Sequence, residues 1–372
     1  MPCVLRDFHH IRPPHEIEQE TLLDWIAEAH AKADKDVTQA QIREKLTRIG
    51  LGKEKIETRG ILISDPFESN WSKMQIYPVE SHPHGRGFAE RSQFYDVEVS
   101  KIFEQFYPEQ TALPSHLIHV TCTGYVAPSP AQKLVSTRQA GMTTTVTHAY
   151  HMGCYGSIPA IRIAAGFTAL PFSPPSQIDI VHTEVCSLHM DPLRHRSEQL
   201  LVASLFADGF IKYSVDSEEK QGPHLQLLAL HEETVPASAQ SMTWRCEDHG
   251  LSMTLSKEVP LLIARAIDGY LNRLCTLANL SQEKVVKEAY FAIHPGGPKI
   301  LQQIKEMLQL HPHQLKHSEH VLKRFGNMSS ATLPHIWEEM LHDSQVSKNA
   351  LIASLAFGPG LSIAGGLFKK GE

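Results

Sequence analysis

The run His116-Leu117-Ile118-His119-Val120-Thr121-Cys122-Thr123-Gly124-Tyr125 is dominated by apolar and β-branched side chains, the composition of a buried strand. Ile178 to Leu188 (IDIVHTEVCSL) and Phe210 to Val215 (FIKYSV) share that texture. Between the first two lies Gly153 to Phe167 (GCYGSIPAIRIAAGF), an apolar stretch that reads as a helix. Strand, helix and strand in this order predict an α/β sheet covered by helices.

Upstream, Glu16 to Ala33 repeats Leu22, Leu23, Ile26 and Ala29 at three and four residues, which predicts an amphipathic surface helix. Asp65 to Arg86 reads as a loop. Arg91 to Tyr107 reads as a helix whose Phe94, Val97, Ile102, Phe103 and Phe106 cover a core, and nothing in this first third reads as chemistry. Downstream, the polar run Ser214 to His224 marks a boundary, after which the pattern restarts. A strand is expected at Leu225 to Leu230, a helix at Val259 to Leu280, a strand in AYFAIHPGG and a helix at Pro298 to Leu310. Ala350 to Phe368 carries no charge and approaches the length of a bilayer span. Gly358-Pro359-Gly360 divides it, however, so a pair of buried strands is expected and no membrane span. The expected organisation is two α/β halves, 1–218 and 219–372, of comparable plan but without a clean internal repeat.

The 372 residues carry Lys+Arg 35 against Asp+Glu 41, a net charge of −6. That balance offers no basic field for a phosphate backbone and excludes nucleic acid as the expected partner. Cys3, Cys122, Cys154, Cys186, Cys246 and Cys275 lie far apart with no CxxC pair, and MPCVLRDFHH lacks the apolar core of a signal peptide. Reduced thiols and a cytoplasmic location are expected. His311, His313, His317 and His320 stand together in a polar stretch, which reads as a solvated helix start rather than a metal site.

Three places join a reactive side chain to glycines or small residues. In HMGCYGS, Cys154 stands between glycines at a helix start, where the helix dipole favours thiolate, the nucleophilic form. In AIHPGGPKIL, His294 closes an apolar strand before a tight turn. In FGNMSSA, Asn327 follows a glycine and precedes small residues, which taken alone reads as a helix cap before any chemical role. Cysteine, histidine and asparagine in this order fit a papain-like protease or a condensing enzyme, and the order alone does not choose. GCYGS is not the local signature of such a protease.

GCYGS, HPGGPKIL, FGNMSSA and AFGPG, in this order and spacing, resemble the type III polyketide synthases, the chalcone synthase-like branch of the thiolase-fold enzymes. VTCTGYVAPSP is similar to the bacterial members that make alkylpyrones and alkylresorcinols, and EVCSL, LFADG and HGLSMTLSKEVP add to the likeness. It covers roughly His116 to Phe368. The ketoacyl synthases that start fatty acid synthesis share the three catalytic residue types but set their histidine in another context.

The resemblance implies an α/β fold of the thiolase-like αβαβα layered kind made of two similar halves, and a homodimer. It also implies coenzyme A thioesters as substrates, no resident cofactor and no metal. Carried over, Cys154 would accept an acyl starter from acyl-CoA, with His294 holding it as thiolate. His294 and Asn327 would stabilise the enolate formed as malonyl-CoA loses carbon dioxide, and the product would be of pyrone or resorcinol type. Phe206 of LFADG matches a gatekeeper phenylalanine, and Met253 replaces a second one. Trp244 falls where plant members have a cavity glycine. Ser329 matches a cavity serine, and Met190 and Cys122 are assigned to the same substrate cavity. Ala127 stands where plant members place a methionine that reaches into the partner's cavity. The alternatives are a single-round ketosynthase, fed by acyl carrier protein, and a non-catalytic thiolase-fold subunit.

Overall fold

The computed structural model describes residues 3–169, 177–217 and 221–372, so the expected boundary at 218/219 lies outside the described residues. The first part of the chain forms β1 (Val4–Ile11), β2 (His15–Glu18), α1 (Gln19–Ala33), α2 (Gln39–Ile49), β3 (Thr58–Ile61), α3 (Phe88–Phe106), β4 (His116–Thr121), α4 (Pro130–Thr137), β5 (Thr145–Tyr150), α5 (Ser157–Thr168), β6 (Ile178–Glu184), α6 (Ser197–Leu205) and β7 (Gly209–Asp216). The second forms β8 (His224–Thr234), β9 (Met242–Glu247), β10 (Gly250–Leu255), α7 (Val259–Leu277), α8 (Gln282–Glu288), β11 (Tyr290–Ile293), α9 (Pro298–Met307), α10 (Pro312–Phe325), α11 (Thr332–His342), β12 (Leu351–Gly358) and β13 (Ser362–Gly371).

Nine strands join in the order β11-β12-β13-β8-β1-β7-β6-β4-β5. Outward from β1, the pairings with β7 and then β6 are antiparallel, and those with β4 and β5 are parallel. Outward from β8, the pairings with β13 and then β12 are antiparallel, and that with β11 is parallel. From the antiparallel β1–β8 join the first three pairings follow the same succession on both sides, with β5 added on one.

Strand side chains alternate between faces, and this alternation builds the layers. Ile118 of β4, Ile180 of β6, Ile211 and Tyr213 of β7, Ala292 of β11, Ile352 of β12 and Ala364 of β13 share one core with Ile158 and Ile161 of α5 and Ile336 and Trp337 of α11. Their neighbours Leu117, Val181 and Phe210 pack outward on Phe103 and Phe106 of α3 and Leu134 of α4. Phe291, Ile293, Leu355 and Ile363 pack outward on Ile267 and Leu271 of α7, Ile304 of α9 and Leu315 of α10. The result is αβαβα, with α5 and α11 between two sheet halves.

Val97 departs from expectation: it is 49% exposed. It lies about 200° around α3 from Tyr95, off the stripe Arg91, Tyr95, Val99, Phe103 that is buried. Arg91 belongs in that stripe because its guanidinium donates to the carbonyls of Arg86, His84 and Met190 at 2.7, 2.6 and 3.0 Å. The charge-free tail forms the β12–β13 hairpin, paired from Leu351↔Lys369 to Gly358↔Ser362. Among the described residues no helix is long and apolar enough to cross a membrane, and no group of three or more His, Cys, Asp or Glu could hold a metal ion. His317 is not solvated as expected, since it is buried 2.9 Å from Asp343 Oδ2.

Candidate active site

Two glycine turns interlock around the cysteine. Gly153 has φ +74°, and a Cβ there would lie 2.6 Å from Pro359 Cδ; a Cβ on Gly358 would lie 2.1 Å from the Tyr155 ring. GCYGS and AFGPG therefore need glycine for close approach as well as for backbone conformation. Cys154 sits in the 3-10 turn Gly153–Tyr155, just ahead of the first turn of α5.

FGNMSSA is stitched to LFADG by Asn327 N–H donating to Leu205 O (3.1 Å) and Ala207 N–H donating to Asn327 O (2.8 Å). Asn327 Oδ1 accepts from the Ser329 backbone N–H at 2.8 Å, and its Nδ2 finds no partner among the described residues. Ser329 Oγ then lies 3.0 Å from Cys122 Sγ and 3.6 Å from Cys154 Sγ. His294 continues β11, with its N–H bonded to Leu355 O (2.8 Å). It is 1% exposed, and neither ring nitrogen finds a hydrogen-bond partner among the described residues.

The Cys154 thiol thus bonds to Ser329 rather than to His294. Burial pushes that thiol up to about 12 and the His294 imidazole down to about 3. Desolvation penalises the charged form of each, so this geometry favours a neutral thiol and a neutral imidazole over the expected thiolate. The helix-start effect on Cys154 is outweighed by its burial.

Phe206 ends α6 and pairs by a parallel bridge with Asn327. Trp244 and Met253 are directly opposed across the β9–β10 hairpin and therefore share a face. That face is the cavity face: Phe206, Trp244, Met253, Ser329, Met190 and Cys122 all line one cavity with Cys154. Trp244 Nε1 donates to Cys122 O at 2.6 Å, and its ring meets His189 edge-on at 5.8 Å. His294 and Asn327 are buried outside the lining.

Sequence reading passed over three contributors. Glu184 ends β6 fully buried, accepting from Cys122 N–H (3.0 Å), Thr123 Oγ1 (2.7 Å) and Ser330 Oγ, so it ties the Cys122 turn to FGNMSSA. Burial raises its pKa and these hydrogen bonds oppose the rise. His189 is held between Thr123 O (2.8 Å) and Leu251 N–H (3.1 Å). The third is a stretch of wall: α1 supplies Leu22, Trp25, Ile26 and His30, and the Asp65–Arg86 loop supplies Tyr77. The buried stripe of α1 faces a cavity as well as a core, which corrects the reading of the first third as remote from chemistry.

Residues 226–370 match the family model for chalcone and stilbene synthases, C-terminal domain. The second half of the chain is similar to that family. His294, Asn327, Trp244 and Met253 all lie inside this chalcone synthase-like half. A probable polyketide synthase of Dictyostelium discoideum is 29% identical over 69% of the chain, which spans 8% of that protein's length. Type III polyketide synthase B of Arabidopsis thaliana is 24% identical over 95% of the chain and 91% of its own length. Among solved structures, the C-terminal type III polyketide synthase domain of Steely1, a hybrid from Dictyostelium, superposes with TM-score 0.82 at 24% identity, covering 99% of both chains. PKS-I of the brown alga Ectocarpus siliculosus does so with TM-score 0.85 at 19% identity, covering 99% of this chain and 98% of its own. These likenesses extend the thiolase-like fold over both halves.

Proposed function

We propose that the chain is a type III polyketide synthase. The observation that supports this most is a set of buried nitrogens without partners among the described residues, both in the His294 ring and Nδ2 of Asn327, the latter on the segment whose Ser329 reaches Cys154. Buried donors without partners are costly unless a reacting group uses them, and a thioester oxygen gaining negative charge is such a group. In this reading neutral His294 takes the Cys154 proton as sulfur attacks acyl-CoA, and the departing coenzyme A thiolate recovers it. His294 and Asn327 Nδ2 then donate to the thioester oxygen of malonyl-CoA while its bond to the carboxylate breaks and carbon dioxide leaves. The resulting enolate attacks the acyl carbonyl on Cys154, a carbon–carbon bond forms and the cysteine thiolate is released. Phe206, Trp244 and Met253 keep the cavity apolar, which strengthens those hydrogen bonds.

Cyclisation to a pyrone or resorcinol, coenzyme A rather than carrier-protein donors, and a homodimer belong to the same reading. The Trp244 indole inside the cavity favours a second one, a single-round ketosynthase, because it narrows the space for a growing chain. Incubation with malonyl-CoA and a panel of acyl-CoA starters, read by mass spectrometry, tests both. One acyl group on Cys154, absent in Cys154→Ala, and a product containing two or more malonyl-derived units are expected. A single malonyl-derived unit would establish the second reading, and failure to load any starter or release carbon dioxide would overturn both.

A further inference from the structure

The α1 wall of the cavity is apolar except at its end. His30, one turn beyond Ile26, is 1% exposed and lines the cavity. Its Nδ1 lies 3.0 Å from Nδ1 of His195, whose Nε2 lies 3.0 Å from Oδ2 of the partly exposed Asp34. Its Nε2 finds no partner among the described residues. The Trp25 indole N–H, on the same helix and in the same wall, is also buried without one.

The relay fixes what His30 offers. The Asp36 backbone N–H and His195 hold Asp34 below the usual carboxylate range, so it is an acceptor only. His195 must donate to it from Nε2. With the ring proton on Nε2, Nδ1 of His195 presents a lone pair, so His30 donates from Nδ1 and its remaining lone pair stands at Nε2. Burial, reinforced by His195 and opposed by Asp191 and the Pro192 carbonyl, pulls His30 down to about 3 and keeps it neutral.

We propose that this wall is a recognition site for a hydroxyl carried by the acyl chain, with His30 Nε2 accepting its hydrogen bond and Asp34 and His195 as positioning residues. A hydroxyl can donate to His30 Nε2, and the unpartnered Trp25 N–H is a second polar point on the same wall. Leu22, Ile26 and Tyr77 supply the hydrocarbon surface on the way. The inference deepens the polyketide synthase reading and rests on it for the acyl thioester.

Binding to the Cys154→Ala protein tests it without requiring any reaction. Dodecanoyl-CoA and 12-hydroxydodecanoyl-CoA, with shorter and longer pairs, are titrated by calorimetry. The hydroxylated member should bind about five-fold tighter at one chain length, the scale of one net hydrogen bond. His30→Phe should remove that preference and His30→Gln, whose amide oxygen can accept, should retain part of it. Asp34→Ala, a surface change that removes the acceptor for His195 and leaves His30 in place, should reduce the ratio. Equal affinities within every pair, or a preference that survives in His30→Phe, would overturn the site. A ratio unchanged in Asp34→Ala would overturn the relay. Wild-type protein that makes no malonyl-dependent product would overturn the synthase reading and leave these binding ratios standing.

Discussion

Cys154 and His294 are driven apart in acidity by one cause, burial, which holds both neutral. A thiol pushed up to about 12 has a thiolate fraction that rises about tenfold with each pH unit below that value. An imidazole pulled down to about 3 adds no change of charge at neutral pH. The rate of iodoacetamide modification at Cys154 should therefore climb with unit slope from about pH 6 to about pH 9. A plateau with its midpoint below pH 7 would reveal a thiolate–imidazolium pair that this geometry does not contain. Asn327 gives a second prediction. Its Oδ1 holds the Ser329 N–H while its Nδ2 is unpartnered among the described residues, so Asn327→Asp keeps the turn and removes the donor. Malonyl-CoA decarboxylation should fall by roughly 10²–10³ while Cys154 remains open to alkylation. Decarboxylation at the wild-type rate in that variant would assign the enolate's hydrogen bonds elsewhere.

At the scale of elements, legibility followed locality. The β12–β13 hairpin and the Cys154 turn were readable because glycine and proline punctuate the chain where it must bend, and their effect is local. The cavity role of α1 was not, since one amphipathic stripe looks the same whether it covers a core or a cavity. Glu184 was missed because Ser330 lies 146 residues away in sequence and only the fold brings the two together. The orientation of Trp244 depended on hairpin register, and a slip of one residue would have turned its indole outward. The observed pairing Trp244↔Met253 puts it in the cavity, so Trp244→Gly should enlarge the space beside Cys122. Products should shift toward more malonyl-derived units or longer accepted starters. Because Trp244 is only half-buried, the loss of stability should stay below the roughly 3–5 kcal/mol of a fully buried Trp→Ala change. Trp244→Phe, which keeps bulk and loses only the bond to Cys122 O, should leave the product distribution near wild type. The same distribution from a folded, active Trp244→Gly protein would remove the indole as the wall.

At the scale of the whole molecule, the layered core is built with histidines that stay neutral. His182 lies fully buried beside Ser330 Oγ (3.0 Å), and His335 is bonded to Ala331 O (2.8 Å). Burial pulls His30, His182 and His294 down to about 3 and His335 to about 4. In the unfolded chain each titrates near 6.5. Between those values the unfolded state binds protons that the folded state does not, so stability rises with pH there and falls as pH drops below about 6.5. Each such group contributes up to about 1.4 kcal/mol per pH unit. Asp208 acts in the opposite sense: burial pushes it up to about 6, so the folded state gains on acidification through that range. Burial also lowers His119 and His189 and raises Asp65, Glu184 and Glu339, so the depressed imidazoles outnumber the raised carboxyls and leave a net proton uptake on unfolding. Urea midpoints should accordingly be level from about pH 7 to about pH 8 and decline steadily from pH 6.5 to pH 5, where carboxylate titration alone would have barely begun. His335→Gln, which removes one of these depressed imidazoles, should make that decline shallower in a folded variant. Midpoints that stay flat down to pH 5 would mean that these imidazoles meet water or a compensating charge, and the picture of a dry central layer between the sheet halves would fail with them.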